Sequence, residues 1–160
     1  MLILIIVLVV LALIVMSLYN GLVKNRVKVD NAWSDIAVYL KKRYDLIPNL
    51  VSTVKGYAAH ESQTLERVIA ARNQAINNGA NASVSDVAAS QAAISTGLRS
   101  IFALSENYPD LKANTNFIEL QNSLKDIESD LASSRRYYNA TVRDYNTSIQ
   151  TVPQVFLANA

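Results

Sequence analysis

The fold class this sequence predicts is all-α: an N-terminal transmembrane helix followed by an up-and-down four-helix bundle with long, coiled-coil-like helices. Three observations carry that reading. Met1 to Tyr19, MLILIIVLVVLALIVMSLY, contains no charged residue. Beyond it, apolar residues recur at the 3, 4 spacing of a helix face, and only four Gly and three Pro interrupt 160 residues. Finally, Phe117, Leu124, Leu131, Tyr138 and Tyr145 sit on one seven-residue frame. A seven-residue repeat winds long helices around one another. No stretch shows the alternation of a strand.

The opening stretch has the length of a membrane span. Nineteen helical residues reach roughly 28 Å, close to the ~30 Å of a hydrocarbon core. With no water there to satisfy stray backbone groups, such a stretch must be helical. A secretory signal peptide would carry a basic start and a small-x-small cleavage site, and this sequence offers neither. Residues 1–19 are therefore expected to be a retained anchor.

Residues 20–160 suffice for one domain. The bundle is expected over residues 20–152, with helices at about 20–44, 46–77, 84–107 and 116–150, and a short apolar tail at 153–160. In the first helix Val29, Trp33, Ile36, Ala37 and Leu40 share a face. Asp45-Leu-Ile-Pro48 is read as a helix corner, Asp45 capping a new helix with Pro48 in its first turn; the alternative is one long helix kinked at Pro48. Ile47, Leu50, Val51, Val54, Tyr57, Leu65, Val68, Ile69 and Ile76 then form a second stripe, with Gly56 inside the helix against a close neighbour. Asn77 to Ala82 is a loop in which Gly79 suits a left-handed helix end. Ser83 with Asp86, or Ser85, supplies the next N-cap. Val84, Val87, Gln91, Ile94, Leu98 and Ile101 make the third stripe. Tyr108-Pro109 ends it, because a residue before Pro leaves the helical region. Asn116 with Glu119 is the expected cap of the fourth helix, which Pro153 closes.

The residues available for chemistry are few. The absence of Cys excludes a disulfide framework and thiolate metal sites, and His60 is the single histidine. Four scattered glycines cannot build a phosphate loop, and no nucleophile elbow is present. Asp126, Glu128 and Asp130 fan around one helix and read as a solvated face. Arg135-Arg136-Tyr137-Tyr138-Asn139 mixes basic and aromatic residues, but Tyr138 belongs to the heptad frame, and no nucleic-acid partner is expected. No catalytic, metal or cofactor site is assigned.

Charge placement is more informative than net charge. Between residues 24 and 43 six basic residues face two acidic ones, whereas residues 44–160 hold nine basic and eleven acidic. Basic residues after the span and none before it place the bundle in the cytoplasm and the N-terminus outside. Lys24, Arg26 and Lys28 are the candidate membrane-surface residues, each worth on the order of 1 kcal/mol beside an anionic leaflet. Trp33, Tyr57, Tyr138 and Tyr145 are the candidate bundle or interface anchors. Asp45, Pro48, Tyr108 and Pro109 are the candidate helix-corner residues.

These motifs together resemble the LemA family. The resemblance rests on Ala32-Trp33, Asp45-Leu-Ile-Pro-Asn-Leu-Val51, Val54-Lys-Gly-Tyr-Ala-Ala-His-Glu61, Ala71-Arg72, Tyr108-Pro-Asp-Leu-Lys-Ala-Asn114, Asn116-Phe117 with Leu120-Gln121, and Arg135-Arg136-Tyr137-Tyr138-Asn139. Tyr39 departs from it, standing where Gln is more usual. The resemblance implies a membrane anchor, a four-helix bundle and no established enzymatic activity. A similar magnetosome membrane protein makes organisation of bacterial inner membranes the nearest analogy. The expected function is that of a non-enzymatic structural protein that self-associates to organise or shape the membrane. The alternative is a docking module for a signalling or envelope-stress partner. The lipid bilayer and further copies of the chain are the expected partners, and the bacterial inner membrane the expected location.

Overall fold

The computed structural model describes residues 1–79 and 82–158. Residues 80 and 81 of the expected 77–82 loop, and 159 and 160 of the expected tail, lie outside the described residues. The described residues form an all-α fold: α1 (Leu2–Lys55), α2 (Ser62–Asn77), α3 (Val84–Ser105), α4 (Pro109–Lys112), α5 (Thr115–Gln150) and α6 (Gln154–Ala158), with no strand among them. They divide into two compact units. One comprises Met1–Val38 and Asp130–Ala160, the other Tyr39–Ser129.

The Tyr39–Ser129 unit packs segments of four long helices around a single core. Ile47, Leu50 and Val54 from α1 meet Leu65 and Val68 from α2, Ile94, Leu98 and Ile101 from α3, and Phe117 and Leu124 from α5. Leu111 of the short α4 closes the core between α3 and α5. Phe102 and Phe117 meet edge to face, with centroids 6.3 Å apart. The α2–α3 contact is close because α3 carries Gly97 there: a Cβ at Gly97 would lie 2.7 Å from Cγ2 of Val68.

Several helix ends follow the sequence reading. Gly79 adopts φ +67° after α2, a conformation that suits a residue without Cβ. Ser83 and Asp86 form a reciprocal capping box at α3. Tyr108 has left the helical region (φ −126°, ψ 84°), and Pro109 occupies the first turn of α4, where its missing N–H costs nothing.

Others differ, each for a definite reason. The corner expected at Asp45 and Pro48 does not exist, because α1 runs through both to Lys55 with Pro48 inside it. A proline in a helix leaves the carbonyl four residues earlier without its usual donor. That carbonyl belongs to Tyr44, and Nε of Arg72 on α2 donates to it at 2.9 Å. Asp45 is no cap: its carboxylate takes Lys41 Nζ at 2.8 Å, one turn back on the same helix. The reversal falls instead at residues 56–61, which splits the expected 46–77 helix. Gly56 thus lies in a turn, and a Cβ there would meet only Thr53 O, at an ordinary 3.4 Å. The cap of α5 is Asn114, whose Oδ1 accepts from Phe117 N at 3.0 Å, while Asn116 sits within the helix. Ala37 is exposed, off the protected face of α1.

In the other unit the apolar residues 2–17 of α1 are exposed on every side. Past them Leu18, Leu22, Asn25 and Val29 are half-buried, and Ala32 and Ile36 are buried. On α5, Leu131 and Thr141 are buried, and Ser134, Tyr138, Tyr145 and Ser148 are half-buried. Trp33 and Tyr138 are in contact, ring centroids 5.3 Å apart and planes at 51°. Turn residues 151–153 separate α5 from α6.

Candidate functional site

Two side-chain constellations in the Tyr39–Ser129 unit stand out. The first surrounds Arg43. Heptad positions of α1 run Leu18, Leu22, Asn25, Val29, Ala32, Ile36, Tyr39, Arg43, Leu46 and Leu50, and all ten are at least half-buried. The seam therefore carries a guanidinium inward at Arg43, whose side chain is only 4% exposed. A buried charge is stable only with full hydrogen bonding. Arg43 Nη1 donates to Gln91 Oε1 at 2.9 Å and Nη2 to Ser95 Oγ at 2.9 Å, both on α3. Nη2 also meets Glu128 Oε2 of α5 at 2.8 Å. Gln91 Nε2 in turn donates to the Tyr44 hydroxyl at 2.7 Å. With Arg72 on the Tyr44 carbonyl, one network joins α1, α2, α3 and α5. A cleft of about 330 Å³ opens beside it, lined among others by Arg99, Phe102, Lys125 and Glu128.

The second constellation is at the corners. The α1–α2 turn carries Tyr57, His60 and Glu61, and the α3–α5 connection carries Tyr108 to Asn114. The Tyr108 hydroxyl donates to Glu61 Oε1 at 3.3 Å, and Asn114 Nδ2 donates to the Tyr57 hydroxyl at 2.9 Å. One Asn114 side chain thus caps α5 through oxygen and ties the opposite corner through nitrogen. Burial, then the Glu61 charge and its hydrogen bond, push the Tyr108 phenol above its ordinary 10.0. An ion pair between Lys112 and Glu106 braces the same connection. His60 is exposed beside it. Among the described residues no group of three or more His, Asp or Glu side chains is placed to hold a metal ion.

The remaining sequence-selected residues are dispersed. Lys24, Arg26 and Lys28 are exposed on α1. Trp33 and Tyr138 are brought together, and Tyr145 lies half-buried two heptad steps beyond Leu131. Tyr57 is a corner residue, 43% exposed, and packs in no seam. Tyr108 and Pro109 hold the corner assigned to them, while Asp45 and Pro48 hold none. Lys42 lies with Nζ 5.2 Å from the centre of the Tyr39 ring, which gives the unusual Tyr39 a cation partner. Sequence reasoning misses the Arg43 network, although a signal is present: Gln91 interrupts an otherwise apolar stripe on α3, and a buried amide needs a polar partner.

The described residues form an all-α protein with one helix whose apolar N-terminal stretch is long enough to cross a membrane, which is consistent with a single anchor. The LemA family model matches residues 32–160, and the chain belongs to the LemA family. Protein LemA of Metamycoplasma hominis is 26% identical to it over 133 residues, which cover 82% of this chain and 59% of that relative. The chain therefore matches somewhat more than half the length of this curated relative.

Proposed function

We propose that this protein is a membrane-anchored, non-enzymatic structural protein that self-associates through its helices to organise a bacterial membrane. The observation that carries the proposal is the unbroken α1, which begins as a fully exposed apolar helix and, in its last turns before Lys55, contributes Ile47, Leu50 and Val54 to the core of the Tyr39–Ser129 unit. Lateral contact between copies has a suitable surface in the groove between α2 and α3. There Ala71, Ala92, Ala93, Thr96 and Ser100 line an open cleft of about 460 Å³, and small residues let helices approach closely. Light scattering on the detergent-solubilised protein should return a mass above one chain, and Ala93→Arg, at an exposed position, should reduce it. A monomer at all concentrations overturns the proposal. The Glu61–Tyr108 and Tyr57–Asn114 pairs favour a second reading, in which the corner presents a docking surface. That reading predicts a monomer or small oligomer that cross-links to other proteins through cysteines placed in the 56–61 turn.

The exposed Lys24, Arg26 and Lys28 support a cytoplasmic domain in the inner membrane, by the preference of basic flanks for that side. Because the chain has no Cys, Ser62→Cys can be probed alone with a membrane-impermeant maleimide. Labelling only after lysis is the expected result. Labelling of intact cells places the domain outside.

A further inference from the structure

The unit formed by Met1–Val38 and Asp130–Ala160 carries an apolar edge that the bundle does not use. Val152 and Phe156 are 74% and 72% exposed, whereas Gln154, Val155 and Leu157 between and beside them are half-buried. The α6 segment thus has a covered side and a bare apolar side.

Its position follows from helix lengths. Past Tyr138, α5 still protects Thr141, Tyr145, Ser148 and Ile149, and within this unit only α1 is long enough to cover them. Past Trp33, α1 offers only five further residues to the unit, so α5 must run back along α1 toward Leu18. From Trp33 back to Leu18 is ~22 Å of helix, and from Tyr138 on to Gln150 is ~18 Å. The 151–153 turn and α6 therefore arrive beside Leu18 and Leu22, which are half-buried although α1 is bare on every side before them. Leu18 is also where the apolar stretch gives way to polar sequence.

The composition fits that level. No charged residue occurs from Tyr145 to Ala160, so no side-chain charge in this segment opposes entry into a bilayer interface. Over residues 24–30 of α1 and 141–147 of α5, the exposed Lys24, Arg26, Lys28 and Arg143 outnumber the exposed Asp30 and Asp144. An apolar edge followed by a basic belt is the arrangement that seats a segment in the plane of an anionic leaflet.

We propose that Val152 and Phe156 insert into the headgroup and upper acyl layer of the leaflet from which α1 emerges. The bilayer is then held at two points, a span and a shallow wedge, which fixes the rotation of α1 about its own axis. The proposal rests on reading residues 2–19 of α1 as a membrane span.

The test uses the full chain, whose lack of Cys permits single labels. Val10→Cys, Ser133→Cys and Phe156→Cys each carry an environment-sensitive fluorophore, with the protein in vesicles of phosphatidylcholine and phosphatidylglycerol. All three positions are exposed, and circular dichroism verifies that helicity is kept. The label at position 156 should shift to the blue and lose emission to a lipid spin-labelled near its headgroup. The label at position 10 should be quenched by a lipid labelled deep in its chain, and the label at position 133 by neither. Quenching at 10 without quenching at 156 overturns the wedge and leaves the span standing. Loss of quenching at both removes the span as well. A blue shift at 156 without quenching shows protein covering the edge, and quenching at 133 equal to that at 156 shows no local wedge; both overturn the proposal.

Discussion

Replacing Arg43 by Ala strands the buried Gln91 Oε1, takes the donor from the half-buried Ser95 Oγ and empties the space that the guanidinium filled. The unsatisfied buried acceptor and the new cavity together should cost about 3 kcal/mol, read as a lower urea midpoint of the detergent-solubilised protein. Glu128→Gln should cost less than about 1 kcal/mol, because that carboxylate is 47% exposed and keeps its water. A like loss from both substitutions would mean that the ion pair, rather than the α3 hydrogen bonds, holds Arg43. Gly97 permits a sharper sign test. Gly97→Ala places a methyl against Val68 Cγ2 at 2.7 Å, on a β-branched side chain that a helix holds in one rotamer. Overpacking should destabilise by about 1–3 kcal/mol. In a Val68→Ala background the obstructing atom is gone, and the same change should stabilise by up to about 1 kcal/mol through helix propensity. Neither residue declares its role in the sequence. Arg43 sits in a basic run that reads as surface, and a lone Gly in a helix says nothing about which neighbour it faces.

Pro48 makes the same point for a whole element. Its missing N–H and the acid three residues before it look like a helix start, and nothing local distinguishes that from a helix interior. The deciding group is the Arg72 side chain on another helix, 28 residues on in the chain from Tyr44, and only the tertiary structure reveals it. A double-mutant cycle measures this. Arg72→Ala alone should cost about 1–2 kcal/mol, since it removes a charged donor from a backbone carbonyl. Pro48→Ala restores the N–H of residue 48 to the Tyr44 carbonyl, and Arg72→Ala should then cost about 1 kcal/mol less. Additive costs would show that Arg72 does not substitute for the absent donor. Elements set by periodicity or by local capping are legible. The Ser83–Asp86 box, the Gly79 end and the Pro109 start need only residues within a few positions of one another. The α5 frame is legible too, since every heptad member from Phe117 to Ser148 is at least half-buried.

At the scale of the whole molecule the two units differ in how much each buries. The Tyr39–Ser129 unit closes a core of twelve buried apolar residues contributed by four long helices and their connections. Among the described residues outside the exposed apolar stretch, the other unit has Ala32, Ile36, Leu131 and Thr141 as its buried side chains, one of them polar and one a single methyl. The Trp33–Tyr138 contact is consequently a larger share of what holds that unit together. Burial depth sets the free energy of local opening, so the amides of residues 130–150 should exchange with deuterium well before those of Ile94 to Ile101. An aromatic pair of this geometry contributes about 0.5–1.5 kcal/mol beyond its buried area. Tyr138→Ala should therefore speed exchange across 130–150 severalfold or more, at about 1.4 kcal/mol for each factor of ten, while exchange in α3 stays as it was. Equal acceleration in both regions would mean that the chain opens as one cooperative body, with the compact units only a geometric division. Unequal acceleration identifies the seam nearer the apolar stretch as a separately opening element.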